Sequence, residues 1–242
     1  MNIRKVVVDF LRKYVFNATW KCVACRKEIF DGGYFCDKCK NELPRNDGAI
    51  CNHCGRKLNS YSEYCSTCKG TLLSIDKARS AFIYEEPISK LVKDLKYHNA
   101  RYVADVFVEE LSHIYFKNYF NADILTFVPM TEKAKRKRGY NQSELIAERL
   151  SEKIGVPNLS CLAKIKETDR QAKLNKEQRR TNLMGAFKVL DKTAVKDKSV
   201  VIVDDVTTTG ATGEAIASKL KKAGAAAVYL LTVASVPNKD GY

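Results

Sequence analysis

One stretch of the sequence combines acidic side chains with a loop that could bind an anion. The segment VVIVDDVTTTGAT (200–212) begins with four β-branched apolar residues, which are typical of a buried strand. Gly210 would let the chain turn tightly, so that successive amides and the threonine hydroxyls could bind a phosphate monoester. Asp204 and Asp205 would repel that phosphate but could accept hydrogen bonds from the 2′ and 3′ hydroxyls of a ribose. The pattern predicts a ribose 5-phosphate site; the alternative is a capped helix after an ordinary strand.

The cysteines indicate a second kind of chemistry. Eight of the nine form four Cys-x-x-Cys pairs within residues 22–68. In a chain expected to be cytosolic, such pairs favour zinc over disulfides, because zinc binds four thiolates in a tetrahedron. A redox dithiol is the alternative. The predicted ligands of two structural zinc ions are Cys22, Cys25, Cys36, Cys39, Cys51, Cys54, Cys65 and Cys68.

An internal repeat bears on which cysteines share an ion. Each of the first four cysteines recurs 29 positions later, and Phe35 and Lys40 correspond to Tyr64 and Lys69. A duplicated unit that binds its own metal is the simplest explanation. It favours two sequential four-cysteine sites. The gaps of 10, 11 and 10 residues between the pairs also permit crossed pairing, so both arrangements stay open from the sequence.

The chain is strongly basic. Its formal net charge of +14 counts every thiol as neutral. Eight thiolates and two divalent ions together add four negative charges, which leaves about +10 and still favours an anionic partner. The excess is uneven, since residues 132–180 contain 14 Lys and Arg against 7 Asp and Glu. A solvated helix face would explain such a segment equally well.

The remaining chain predicts an alternation of strands and helices. We predict strands over 77–84, 123–129, 199–205 and 226–234, and helices over 87–98, 100–116, 141–155 and 210–224. This order favours an α/β domain over 76–242 with a doubly wound, mostly parallel sheet and helices on both faces. Ligands of such sheets bind beyond the carboxyl ends of the strands. A small cysteine-rich domain over 21–72 would precede it.

The amino-terminal segment MNIRKVVVDFLRKYVF carries charges within its apolar part. We therefore predict a short amphipathic helix over 1–20 and not a signal peptide. No apolar run approaches the ~18 residues of a membrane span. A cytoplasmic protein without membrane insertion is expected.

The first segment resembles the PRPP-binding signature of type I phosphoribosyltransferases: an apolar strand, two acidic residues and a Thr-Thr-Gly-x-Thr loop. The likeness extends to the ComF family of competence proteins, which place a cysteine-rich ribbon ahead of such a domain. Residues 93–101, 128–150 and 168–187 are also similar to that family. The resemblance implies a sheet of the type I phosphoribosyltransferase kind, preceded by a double zinc ribbon. It also implies a part in natural transformation.

The resemblance further implies a set of residues around PRPP and its Mg²⁺. They are Asp204, Asp205, Thr207, Thr208, Thr209, Gly210, Ala211, Thr212, Pro129, Met130, Arg136 and Arg138. Magnesium is usually held by substrate phosphates and one or two carboxylates, so no dedicated protein cage is expected. Lys96 and Tyr97 could close over the ribose, an inference from position alone. Residues 168–182 suit either a mobile lid or a plain surface loop.

Two functions fit this reading. The first is a ComF-like protein that binds PRPP and Mg²⁺ and assists DNA uptake, with competence or DNA-translocation proteins as possible partners. The second is an active phosphoribosyltransferase acting on an unknown base or amine, for which no catalytic residue is assigned. Single-stranded DNA would bind a basic loop after residue 131, with Tyr140 as a stacking surface. The candidate contacts are Lys133, Lys135, Lys137, Tyr140, Arg179 and Arg180.

Overall fold

The computed structural model describes residues 21–58, 61–66, 68–69, 73–167, 183 and 185–237. The chain divides into two compact units, residues 1–43 and 44–242, so the two four-cysteine segments fall in different units. The helix predicted over 1–20 and the segment 168–182 lie outside the described residues. The domain division predicted from the sequence, 21–72 and 76–242, stays a prediction.

The first unit contains one short helix, α1 (Asp37–Asn41). The second contains the remaining elements, in chain order. They are β1 (Lys77–Ile83), α2 (Ile88–Tyr97), α3 (Val103–Lys117), β2 (Ile124–Phe127), α4 (Glu132–Arg138), α5 (Gln142–Ile154), β3 (Leu162–Lys164), β4 (Phe187–Val189), β5 (Ser199–Thr207), α6 (Ala211–Lys222) and β6 (Ala227–Ser235). Among the described residues, no helix is both long and apolar enough to cross a membrane.

The main sheet has four parallel strands in the order β1-β6-β5-β2. Strand β5 lies between β6 and β2, with Val203 opposite both Leu231 and Phe127. A strand buried on both faces needs a continuous apolar run, which residues 200–203 provide. The predicted doubly wound parallel sheet is confirmed.

Helices cover both faces of this sheet. Val200 and Ile202 of β5 belong to one core cluster with Ile216 and Leu220 of α6. Because successive side chains of a strand alternate between faces, Val201 and the residues in phase with it point the other way. On that side α5 packs against β5 and β2, and α3 packs against α5 and β1. The core therefore fixes the position at which β5 ends and α6 begins.

A segment ahead of β1 covers the outer edge of that strand. The amide of Ala78 donates to the carbonyl of Asn52 at 2.7 Å, and the amide of Ile83 donates to the carbonyl of Pro44 at 2.7 Å. The amide of Asn46 donates in turn to the carbonyl of Ala81 at 2.9 Å. The edge of the sheet is thus paired with the segment that carries the second set of cysteines.

Two features differ from the sequence expectation. Strands β3 and β4 form a separate antiparallel ribbon, in which Leu162 pairs with Val189, and no strand was predicted there. Residues 132–138, expected as a loop, form helix α4. The Thr131 hydroxyl accepts a hydrogen bond from the amide of Ala134 at its start, and Gly139 ends it in the left-handed conformation (φ 87°). These caps and good helix formers between them outweigh the absence of an apolar stripe.

Candidate functional site

The predicted ligand residues come from neighbouring strands. Strands β2 and β5 are adjacent and parallel, so both carboxyl ends lie at one edge of the sheet. Segment 128–131 follows β2, and the loop 208–210 follows β5. Asp204 and Asp205 are the sixth and seventh of the nine residues of β5. The topology therefore brings together the two segments that the sequence assigns to the pyrophosphate and the ribose phosphate.

Asp205 is buried, with only 3% of its surface exposed. Its Oδ2 lies 3.0 Å from Nζ of Lys96, in the last turn of α2. Burial alone would lower the pKa of the Lys96 ammonium, but the Asp205 carboxylate raises it above its ordinary value. A buried carboxylate needs such a partner, because an unpaired charge away from water is costly. Lys96 therefore belongs to the site as the counter-ion of Asp205.

Asp204 has a different environment. Its Oδ1 accepts hydrogen bonds from the Ser143 hydroxyl at 2.9 Å and from the amide of Asp205 at 2.9 Å. Burial of the carboxyl group raises the pKa of Asp204 to about 7, and the adjacent charge of Asp205 acts in the same direction. The Ser143 hydrogen bond and the Lys96 charge oppose this rise. Two adjacent carboxylates are thus held together at a cost to the fold.

This cost predicts a pH-dependent gain in stability from Asp204→Asn. A carboxyl group whose pKa is about 7 when folded and ~4 when unfolded destabilises the fold as pH rises from 4 to 7, since the folded state binds the extra proton. At pH 8 the variant should therefore be more stable than the parent by about 1–3 kcal/mol, and at pH 5 the gain should largely vanish. Urea unfolding at both pH values measures this.

Asp197→Asn is the matched control for that measurement. Asp197 is exposed and adopts a left-handed conformation (φ 58°), which asparagine tolerates equally well. It should change stability by less than about 0.5 kcal/mol at either pH. An Asp204→Asn variant that is no more stable than the parent at pH 8 would contradict the raised pKa.

The loop after β5 has the geometry of an anion site. Gly210 is in the left-handed conformation (φ 75°) at the N-cap of α6, where a side chain would be strained. The Thr209 hydroxyl accepts a hydrogen bond from the amide of Ala211 at 3.4 Å. The first amides of the 12-residue helix point toward this end, where the helix dipole favours negative charge. Thr208 is exposed and Thr207 is buried.

The segment after β2 is fixed by the start of α5. Asn141 caps that helix, since its Oδ1 accepts from the amide of Ser143 at 3.0 Å. Its Nδ2 also donates to the carbonyl of Val128 at 3.0 Å. Arg138 donates to Gln142 Oε1 at 2.5 Å, and Arg136 is exposed on α4. Asn141 is therefore both a helix cap and a tether for the predicted pyrophosphate segment.

A cavity of about 230 Å³ lies at this edge of the sheet. It is lined by Val128, Pro129, Met130, Thr131, Ala134, Lys164, Leu183, Phe187, Asp204 and Thr212. The cavity thus joins the segment after β2, the loop after β5 and the β3–β4 ribbon. Burial lowers the pKa of the Lys164 ammonium, while Glu167 and Asp204 act in the opposite direction. Four of the predicted PRPP residues meet here: Pro129, Met130, Asp204 and Thr212.

The cysteines form two separate clusters. One contains Cys22, Cys25, Cys36 and Cys39, and the other contains Cys51, Cys54, Cys65 and Cys68; within each, all sulfurs lie within 4.8 Å of one another. The sulfurs of Cys54 and Cys65 are 3.9 Å apart. Four sulfurs bound tetrahedrally at ~2.3 Å would be about 3.8 Å apart, so the clusters fit zinc. The sequential pairing is confirmed.

The 29-residue repeat is also visible in the backbone. The bridge between Lys21 and Glu28 in the first unit recurs as a bridge between Ile50 and Lys57 in the second. The amide of Cys22 donates to the carbonyl of Lys27 at 2.7 Å, and the amide of Cys51 donates to the carbonyl of Arg56 at 2.8 Å. Each half is one zinc knuckle built on the same turn.

We expect the purified protein to carry two zinc ions per chain. Changing Cys51 and Cys54 to serine should remove one of them and leave Cys65 and Cys68 reactive toward a thiol reagent, while Cys36 and Cys39 stay protected. Metal analysis and mass spectrometry of the labelled peptides measure both outcomes. Cys161→Ser is the control, because Cys161 is buried in the core and its thiol donates to Thr126 Oγ1. A single zinc in the intact protein would contradict the assignment.

The sequence matches two domain families that agree with this architecture. Residues 13–69 match the double zinc ribbon domain, and residues 140–241 match the phosphoribosyl transferase domain. The chain is a protein of the phosphoribosyltransferase fold with an amino-terminal double zinc ribbon.

Relatives extend the match over most of the chain. Competence protein F of Haemophilus influenzae is 30% identical, over 85% of this chain and 92% of its own length. DNA utilization protein YhgH of Escherichia coli is 28% identical, over 86% and 94%. Glutamine PRPP amidotransferase of B. subtilis is similar in structure, with 23% identity over 54% of this chain and 26% of its own, at a TM-score of 0.38. The chain belongs to the competence protein F (ComF) family.

Proposed function

We propose that this cytoplasmic protein binds PRPP with Mg²⁺ at the carboxyl edge of its sheet and assists the uptake of DNA in natural transformation. One observation carries the ligand assignment. Asp204 and Asp205 stand directly before a loop whose glycine turns the chain into the start of α6. Carboxylates suit ribose hydroxyls, and a helix start suits a phosphate. The names of the relatives, a competence protein and a DNA utilization protein, support the cellular role.

The two segments at the edge would divide PRPP between them. The 5-phosphate would bind the amides and hydroxyls of the loop 207–212, and the ribose hydroxyls would bind Asp204 and Asp205. The pyrophosphate would then lie toward the segment 128–131, in reach of the cations of α4. Mg²⁺ would neutralise the pyrophosphate, and Asp204, which lines the cavity, is the carboxylate that could reach it.

Calorimetry with PRPP tests this assignment. Binding should require Mg²⁺, and ribose 5-phosphate should bind more weakly because it lacks the pyrophosphate. Gly210→Ala should reduce the affinity for both ligands, since alanine is strained at this left-handed position and the amides of the loop would move. The absence of heat with millimolar PRPP and Mg²⁺ would refute the proposal.

The cavity favours a second candidate, an active phosphoribosyltransferase. Lys164 and Phe187 of the β3–β4 ribbon line the cavity together with Asp204, which leaves room for an acceptor beside the predicted ribose. The fold requires little more than positioning and charge stabilisation for the transfer itself. A screen of bases and amines for pyrophosphate release from PRPP distinguishes the two functions. An acceptor that gives turnover would establish the enzyme, and binding without turnover would favour the first proposal.

A surface next to this site supports contact with single-stranded DNA. Lys133, Arg136 and Lys137 are exposed along α4. The Arg138 guanidinium lies 5.3 Å from the ring centroid of Tyr97, which is 68% exposed. Cations beside an exposed aromatic ring are the usual means of binding single strands. We name these five residues the α4 surface.

The structure corrects the expected role of Tyr140. This residue is only 8% exposed, and its hydroxyl donates to the carbonyl of Leu95. The Arg101 guanidinium covers its ring at 4.5 Å from the centroid. Tyr140 is therefore a buried anchor, and Tyr97 is the ring that a base could stack on. Lys135 binds Glu144 at 2.7 Å, and Arg179 and Arg180 lie outside the described residues.

A further inference from the structure

We propose that the second zinc site, formed by Cys51, Cys54, Cys65 and Cys68, is a structural part of the phosphate loop. Metal in this site, and not in the first, then sets the affinity of the loop for its ligand. The inference rests on the proposed binding of PRPP, and it adds a dependence that binding at the sheet edge does not require.

The closest contact joins a zinc ligand to the apex of the loop. A Cβ built on Gly210 would lie 3.5 Å from the Cβ of Cys54. Gly210 holds the left-handed conformation on which α6 begins. The backbone at the turn of the loop therefore lies in van der Waals contact with the side chain of a metal ligand, and movement of one requires movement of the other.

The knuckle that carries Cys54 is also fixed to the sheet. A Cβ on Gly55 would lie 3.2 Å from the carbonyl carbon of Ala78 and from the amide nitrogen of Arg79, so backbone lies directly against backbone. The Arg79 guanidinium donates to Asn52 Oδ1 at 3.0 Å. His53 Nδ1 lies 3.1 Å from the carbonyl oxygen of Ile75. Strand β1 thus serves as a rigid support for the knuckle.

The repeat shows which half is built for this contact. Arg26 in the first knuckle and Gly55 in the second occupy the same left-handed position, with φ values of 66° and 71°. Arginine is accommodated in the first knuckle, whereas the backbone of β1 leaves no room for a Cβ at residue 55. The glycine in the second knuckle is therefore explained by docking and not by the turn alone.

A second connection ties the chain after this zinc site to α6. The Glu214 carboxylate, in the first turn of α6, accepts hydrogen bonds from the amides of Ser74 at 2.7 Å and Ile75 at 3.3 Å. The start of α6 is thus bounded by Cys54 on one side and by residues 74–75 on the other. Without metal the four thiolates would no longer be held together, and the loop would lose one of its two supports.

Paired variants test the inference. Cys65→Ser with Cys68→Ser removes the second metal but keeps the Cys54 side chain beside Gly210, and Cys36→Ser with Cys39→Ser is the matched change at the first site. We expect the second-site variant to bind PRPP at least about tenfold more weakly and the first-site variant to bind as the parent does. Hydrogen exchange of the amides in 207–214, measured without ligand, should quicken only in the second-site variant.

The two measurements separate this inference from the proposed function. If the parent protein does not bind PRPP, the proposed function fails, and hydrogen exchange still reports the coupling. If both variants match the parent in affinity and exchange, the coupling is wrong.

A variant that fails to fold does not prevent the test, because cobalt can replace zinc. Co²⁺ in the second site of the Cys36→Ser, Cys39→Ser protein should change its ligand-field absorption when PRPP saturates the loop. Unchanged bands, together with PRPP binding confirmed by calorimetry, would overturn the inference.

Discussion

Replacing both Asp204 and Asp205 with alanine should weaken PRPP binding by roughly two to four orders of magnitude. Each carboxylate would accept a charge-assisted hydrogen bond from a ribose hydroxyl, and such bonds contribute ~1.5–3 kcal/mol each. The substitution also removes the partner of Lys96, whose Nζ lies 3.0 Å from Asp205 Oδ2. Calorimetry with PRPP and Mg²⁺ measures the loss.

The paired asparagine variant is the control for shape. Asp204→Asn with Asp205→Asn keeps the side-chain volume and one acceptor oxygen at each position, so its loss should fall between that of the parent and that of the alanine variant. Circular dichroism should show that both variants retain their secondary structure. A dissociation constant that does not change in the alanine variant would disprove the ribose assignment.

Raising salt from ~50 to ~200 mM should weaken binding of a single-stranded oligonucleotide about a hundredfold. The estimate assumes about five phosphates neutralised by the α4 surface and its neighbours, which gives a slope of roughly −3.5 in log affinity against log salt. Changing Lys133, Arg136 and Lys137 to alanine should flatten the slope by about 2, or roughly 0.7 per lost contact. Fluorescence anisotropy at several salt concentrations measures this.

The control removes the same charge elsewhere. Lys192, Lys196 and Lys198 are exposed and precede β5, at the edge of the sheet opposite the site. Their replacement with alanine should leave the slope nearly unchanged. Millimolar PRPP should reduce oligonucleotide binding to the parent, because its pyrophosphate would use some of the same cations. A slope near zero would mean that the α4 surface does not bind the strand.

The parts of the fold that the sequence predicted are those with a strong local signal. Residues 200–203 form an uninterrupted β-branched run, and the run became β5. The spacing of the cysteines and their 29-residue repeat predicted the sequential clusters. In each case the residues that carry the signal are neighbours in the chain or repeat at a fixed interval.

The parts that were missed depend on contacts between distant residues or on weak local signals. Strands β3 and β4 have three residues each and pair Leu162 with Val189. Helix α4 has no apolar stripe, and its caps alone mark its ends. The partner of Asp205 is Lys96, 109 positions earlier in the chain, and no periodicity connects the two. Packing decides such contacts, and packing is not written in any single segment.

The pairing of β1 with the segment ahead of it has a consequence for aggregation. An open strand at the edge of a sheet offers unpaired amides and carbonyls to another copy of the chain. Here the carbonyls of Pro44 and Asn52 receive the amides of Ile83 and Ala78, so the outward side of β1 is occupied. A fragment cut at residue 76 would expose that side and should self-associate. A fragment that starts at residue 44 would keep its edge protected.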